Sequence, residues 1–245
     1  MDLAHSLTLA ALIFIAALLY SSVGHAGASG YLAAMALMGV APLVMKPTAL
    51  VLNLLVATIT TWQFVRAGHL RWRLLAPFVI ASVPCAYLGG GIHLNASIYR
   101  PLVGLVLVLS AARLGWTARQ GEIIARPVAP AVALPVGAGI GFLSGLTGVG
   151  GGIFLSPVLL LFRWANTRET AGASAVFILL NSAAGLLGSW NAGVQFAPHL
   201  ALWSAMALTG GAVGSWWGSR KAAPPVLRQL LAAVLVVAGL KLIFT

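Results

Sequence analysis

From Pro127 to Phe162, and again from Thr170 to Ser219, the sequence contains no Asp, Glu, Lys or Arg. A helix crosses the hydrocarbon of a bilayer with roughly 20 apolar residues. Each of these stretches is longer than that, and a water-facing shell cannot be built without charge. Composition agrees: 60% of residues are hydrophobic and 7% are charged, against about 25% charged in an ordinary soluble domain. Because hydrocarbon offers the backbone no hydrogen bonds, helices that satisfy their own main chain are the expected form. The expected class is an all-α integral membrane protein with many crossings.

The formal charge of +11 does not point to nucleic acid. The basic residues stand singly or in small groups between apolar runs instead of lining one patch, so they read as a topology signal. The lone cysteine, Cys85, lies inside an apolar run and is expected to pack there; it provides neither a disulfide framework nor paired thiols for zinc. No paired carboxylates, metal cluster or nucleophile with its base is evident, so no enzyme activity, metal or cofactor is expected. The first apolar run, 7–22, resembles a signal-peptide core, but Asp2 and His5 precede it and no Lys or Arg does, so it is expected to be a retained segment.

Laying the chain on itself with a shift of 181 − 53 = 128 pairs Asn53 with Asn181, Trp62 with Trp190, Arg100 with Arg228 and Arg113 with Lys241. Polar and aromatic coincidences at one shift indicate a duplicated unit. The expected organisation is a first transmembrane repeat at 1–115, a basic cytoplasmic linker at 116–130 and a second repeat at 131–245. Each repeat is expected to be a glycine-broken helical hairpin followed by three transmembrane helices. The segments are 7–22, 27–43, 47–65, 74–92 and 99–115, then 131–147, 151–163, 170–190, 197–218 and 226–243. That makes ten membrane segments, about eight of them full spans.

Cytoplasmic loops carry the excess of Lys and Arg, which places the connection with Arg66, Arg71 and Arg73 inside. Its counterpart, Asn191 to Pro198, has no charge and is expected outside. The two repeats then face opposite ways. On this scheme 11 of the 14 basic residues lie inside, while Lys46, Arg100 and Lys241 lie outside with both termini. Inverted repeats with interrupted helices recur in secondary transporters, whose substrate sits at the midplane between the repeats. A duplicated structural subunit is the plainer alternative.

The interruptions read GLTGVGGGIFLSP over Gly145 to Pro157 and SVGHAGASGY over Ser22 to Tyr31. A helix that restarts after a break exposes amides that nothing within it satisfies, and its dipole favours an anion. The candidate ligand-binding residues are therefore Ser21, Ser22, Gly24, His25, Gly27 and Ser29 in the first break, and Thr147, Gly148, Gly150, Gly151 and Gly152 in the second. Close helix packing by small residues is the competing explanation of the glycines.

Asn53 and Asn181 join the candidates as amides in apolar spans at equivalent positions; a helix-to-helix hydrogen bond is their alternative role. His25 is read as an anion ligand, a proton relay or a satisfied histidine at a helix end. Asp2, Glu122 and Glu169 are the chain's acids. Cation pathways normally use carboxylates within the membrane, whereas Glu169 follows Arg168 at a helix start and reads as a capping charge. A small anion suits this inventory, with Arg168 raising its local concentration at the inner entrance. Trp62 and Trp190 read as interfacial belt residues.

GVGGGIFLSPVLLL, the weaker GHAGASGYLAAMAL, the TAGASAVFILLN run and the duplicated layout together resemble the TauE/SafE sulfite exporter family, also called the toluene sulfonate uptake permease family. The resemblance covers most of the chain. It implies a transporter of the cytoplasmic (inner) membrane that moves small sulfur-containing anions such as sulfite, most commonly outward. Ala26 and Ala28 depart from the glycine triplet in the first break. The expectation is a secondary transporter, an exporter in the sense of that family's commonest assignment, working by alternating access with a small sulfur oxyanion and the lipid bilayer as its partners. An anion channel, an uptake permease for organosulfonate or thiosulfate, and a non-transporting membrane partner of a sulfur-handling complex remain as rivals, and a homo-oligomer stays open.

Overall fold

A computed structural model describes residues 3–116, 126–191, 193–220, 235–237 and 239–244. Apolar side chains and self-satisfied backbone produce helices throughout, and no strand occurs among the described residues. In chain order they are α1 (Leu3–Ser21), α2 (Ala28–Leu37), α3 (Pro42–Arg66), α4 (Trp72–Gly91), α5 (Ala96–Trp116), α6 (Pro130–Thr147), α7 (Gly152–Leu161), α8 (Thr167–Asn191) and α9 (Leu200–Gly218). Residues 235–237 and 239–244 are helical as well. Most of the expected linker, Arg119 and Glu122 included, and the start of the tenth segment with Arg228 lie outside the described residues.

Five described helices, α1, α3, α4, α6 and α8, are long and apolar enough to cross a membrane. At 1.5 Å per residue, the 25 residues of α3 and of α8 reach about 37 Å, enough to cross with tilt. The 10-residue α2 and α7 reach about 15 Å, half the hydrocarbon thickness. They are shorter than the 27–43 and 151–163 segments expected from hydropathy. The chain turns at Gly39 with φ 72° before Pro42 opens α3, and Arg163 takes φ 55° at the end of α7.

The order long, short, long, long recurs as α1 to α4 and α6 to α9, and the packing repeats with it. The pairs α1–α9 and α4–α6, α3–α9 and α4–α8, α1–α2 and α6–α7, and α2–α3 and α7–α8 are all in contact. Exchanging the halves leaves this pattern unchanged, with the α3–α8 contact mapping onto itself. The two equivalent central helices run antiparallel. His69, just past the end of α3, packs on Gly172 near the start of α8, and Arg71 reaches Glu169 at 3.2 Å. At the other end, Pro42, Leu43 and Lys46 of α3 share a cavity with Ser189 of α8.

Small residues set the closest contacts. Along α4–α6, a Cβ on Gly137, Gly141 or Gly145 would stand 2.1–2.4 Å from the carbonyls of Phe78, Ser82 and Ala86. Along α1–α9, one on Gly210, Gly214 or Gly218 would stand 1.9–2.4 Å from those of Phe14, Leu18 and Ser22. Without a hydrophobic force between helices in lipid, such close backbone approach is what van der Waals packing requires. Glycines at these four-residue spacings are packing residues, unlike those of the breaks.

Candidate functional site

The first break begins as a helix stop. His25 N donates to Tyr20 O at 3.0 Å and Gly24 N to Ser21 O at 3.1 Å, with Gly24 left-handed at φ 79°; together they close a Schellman motif. The second begins similarly, Gly148 (φ 81°) donating to Ser144 O at 2.8 Å. Thus Gly24 and Gly148 end helices, while Gly27 (φ 109°) and Gly151 (φ 80°) stand before the next ones. Neither α2 nor α7 has a side-chain cap, so their first amides keep no partner from a capping side chain.

The main chain from α6 through the second break into α7 is a hairpin. Arg126 N, ahead of α6, donates to Arg163 O, after α7, at 2.8 Å. The short helix therefore returns to the side from which α6 set out. Its first turn lies against the opposite half: His25 Nε2 is 3.1 Å from Gly152 O and 3.0 Å from Ser156 Oγ. A Cβ on Gly24 would meet the backbone of Ala171 at 2.5 Å, and one on Gly150 would meet Asn53 Nδ2 at 2.6 Å and Ser182 Oγ at 3.0 Å. Both breaks therefore meet α8, the first near its start at Ala171 and the second further along, from Ser174 to Ser182.

The loop leading into α2 is thus set against the first turn of α7 inside the protein, close to the N-terminal ends of two half-length helices. Each carries about half a positive charge. The acid among the described residues is Glu169, two positions before Ala171 and turned to the helix start: Glu169 N donates to Asn166 Oδ1 at 2.9 Å while Asn166 N donates to Glu169 Oε2 at 3.1 Å. This reciprocal pair is a capping arrangement at the start of α8, in keeping with the role read for Glu169. With the Glu169 carboxylate engaged by Arg71 and Asn166 N, none among the described residues hydrogen-bonds to the junction, and the helix ends there can attract an anion.

The remaining candidates divide. Asn53, fully buried, donates from Nδ2 to Val149 O at 3.2 Å and lies 3.4 Å from Ser182 Oγ, so it holds the second break. Asn181 donates to Ser82 Oγ at 3.1 Å and to Phe177 O at 2.8 Å, linking α8 to α4 and meeting neither break. Both Oδ1 atoms are buried with no partner among the described residues. An orphaned acceptor costs about 1–3 kcal/mol, so these oxygens mark places where water or a donor group completes the network. Ser21, Ser22 and Thr147 turn their hydroxyls back onto Leu18 O, Leu19 O and Leu143 O. Ser29 Oγ donates to Tyr20 Oη at 2.8 Å, and Arg168 is exposed on the first turn of α8.

The sequence placed Lys46 in an outer loop; instead it lies inside α3, 9% exposed. Its Nζ donates to Gly90 O at 2.7 Å and Ile92 O at 3.1 Å, with Gly89 O at 3.4 Å. The ammonium neutralises the C-terminal dipole of α4, which is why it is tolerated there. Beside it is a cavity of about 30 Å³, lined among others by His93, Tyr99 and Ser189. Ser156, Ser174 and Ser182 were also missed. A helical projection carries the signal, since Thr170, Ser174, Asn181, Ser182, Gly185 and Ser189 fall on one buried face of α8.

Broken half-helices meeting between two similarly ordered halves define a multi-pass membrane transporter architecture. The family model of the sulfite exporter TauE/SafE matches residues 9–242, and the chain belongs to that family. It is 46% identical over 243 residues to a protein of Sinorhizobium fredii described as "Probable membrane transporter protein y4hK", covering 96% of this chain and 97% of that one. It is 26% identical to "Probable membrane transporter protein YjnA" of Bacillus subtilis, with 94% and 96% covered. A third relative, "Probable membrane transporter protein MJ0441" of Methanocaldococcus jannaschii, is 26% identical over 60% of this chain and 56% of its own length. No solved structure matches the chain. These names are those of a transporter and suggest no catalytic activity.

Proposed function

We propose that the protein is a secondary transporter of a small sulfur-containing anion, sulfite being the representative, and that it exports it across the cytoplasmic membrane. The seating of His25, which leads into the uncapped α2, against the uncapped start of α7, with no buried acid among the described residues, is the observation that carries this reading. The anion accepts hydrogen bonds from the first amides of both short helices, and Asn53 fixes the shape of the second break through Val149 O. In a low-dielectric interior such preset donors bind charge far better than in water.

The two repeats, 1–115 and 131–245, are inverted relative to each other and rock around this junction. The antiparallel run of α3 and α8, the equivalent central helices, supports that inversion. So do the aromatic anchors: the Arg66 guanidinium lies 4.7 Å from the Trp62 ring centre and that of Arg220 lies 4.6 Å from Trp216. These pairs end α3 and α9 on the inner face that the Lys/Arg distribution assigns, leaving both termini outside. Arg168 on the same face concentrates anions at the entrance.

Purified protein in liposomes loaded with radiolabelled sulfite tests the proposal. Saturable efflux, accelerated by unlabelled sulfite outside, is expected for a carrier. Flux without counterflow would replace the carrier with a channel, and no flux of sulfite, thiosulfate or a small sulfonate would remove the transport reading.

A further inference from the structure

We propose that His25, Ser156 and Ser174 form a proton-binding site, and that the anion is carried together with a proton. The proposal rests on the anion reading above and names the coupling ion of the same junction. His25 is 2% exposed, and each ring nitrogen faces a carbonyl: Nδ1 is 3.1 Å from Val23 O and Nε2 is 3.1 Å from Gly152 O. A neutral imidazole carries one N–H and one lone pair. Two carbonyl neighbours therefore suit the imidazolium, which donates from both nitrogens.

The neutral ring is accommodated too, through a hydroxyl that can turn. Ser156 Oγ lies 3.0 Å from His25 Nε2, 2.7 Å from Ser174 Oγ and 2.9 Å from Gly152 O. With the ring neutral, Nδ1–H donates to Val23 O, Nε2 accepts from the Ser156 hydroxyl, and Ser174 donates to Ser156 Oγ. When a proton from water adds to the Nε2 lone pair, the new N–H donates to Gly152 O and the Ser156 hydroxyl rotates to donate to Ser174 Oγ, whose own hydrogen turns away from Ser156. No heavy atom has to move, and the one change in the balance is the proton gained by the ring.

The surroundings tie this proton to the anion. On α1 and α2 the buried titratable groups are the phenols of Tyr20 and Tyr31, engaged with Ser29 Oγ and Ala26 O. From α7 and α8 the facing groups are the Ser156 and Ser174 hydroxyls. Arg168 and Glu169 stand at the start of α8, where Glu169 pairs with Arg71. The positive ends of α2 and α7 oppose a charge on the ring, and a bound anion cancels them. Each ligand therefore raises the affinity of the other by the same factor, which makes their joint passage favourable and the passage of either alone unfavourable.

Nitrogen-15 NMR of histidine-labelled full-length protein in detergent, with His25 assigned by loss of its signals in His25→Gln, reads the site without transport. At fixed pH, adding sulfite is expected to move both His25 ring signals toward the doubly protonated pattern, and acidification between about pH 5 and 8 to do the same. A ring that stays in one neutral tautomer under both treatments overturns the proposal. In liposomes with an internal pH dye, the ratio of protons to sulfite moved is expected to fall by one in His25→Gln relative to wild type, a difference in which sulfite's own protonation cancels. An equal ratio overturns the coupling; where the variant has no measurable flux, the NMR titration decides. Wild-type protein that neither binds nor moves sulfite refutes the anion reading instead, and the acid titration of His25 alone then keeps or removes the proton site.

Discussion

Replacing Gly151 with valine perturbs the second break at the last residue before α7. Gly151 holds φ 80° and ψ −20° ahead of α7, a conformation costing a side-chain-bearing residue roughly 1–2 kcal/mol. Its Cβ would stand 2.7 Å from Phe177 Cε1 and 3.2 Å from Ile140 Cγ2, and overpacking of that kind costs about 1–3 kcal/mol. The sum, about 2–5 kcal/mol, disfavours the present course of the break by roughly 30-fold to several thousand-fold, at 1.36 kcal/mol per tenfold. Valine leaves the flanking helices apolar, so insertion is expected to survive while sulfite efflux falls at least 30-fold by that estimate. Gly139→Val is the control, because nothing lies within 4 Å of its added Cβ and it is expected to transport. Efflux from liposomes, with membrane yield measured in parallel, is the assay. Wild-type efflux in Gly151→Val would refute the role given to the break.

Asn53→Asp places a carboxylate against the second break and is expected to weaken sulfite binding at least tenfold more than Asn53→Ala, measured by calorimetry; equal losses would deny that charge sign matters there. Lys46→Met strips the donor from Gly90 O and Ile92 O and is expected to cost about 3 kcal/mol of stability, read as a lower melting temperature in detergent. Gly141→Leu forces α6 away from Ser82 O, now 2.2 Å from the added Cβ position, and is expected to abolish a monodisperse peak on gel filtration. The equivalent change at Gly214, 2.0 Å from Leu18 O, is expected to do the same.

The helical membrane class and the glycine breaks were legible because they depend on composition and on a residue type with unique backbone freedom. Gly148, Gly150 and Gly151 all adopt positive φ, which a GVGGG run advertises. The division of labour among them was hidden: whether a glycine caps one helix or precedes the next depends on which carbonyl its neighbours reach, as at Gly24 and Tyr20. The serines were opaque for another reason. Hydroxyls in apolar helices commonly bond back one turn, as Ser21 and Ser22 do, and Ser156 looks the same until the fold sets His25 beside it. Lys46 was misplaced because a lysine at the edge of an apolar run reads as a loop residue, while its carbonyl partners lie 43 to 46 positions away.

The most direct test of the anion junction is a structure with selenite, a heavier relative of sulfite, located by the anomalous signal of selenium. A peak is expected within hydrogen-bond reach of the amides of Gly152 and Ile153, on the side facing His25 and the start of α2. A peak confined to the cavity beside Lys46 and His93, or none at saturating selenite, would contradict it.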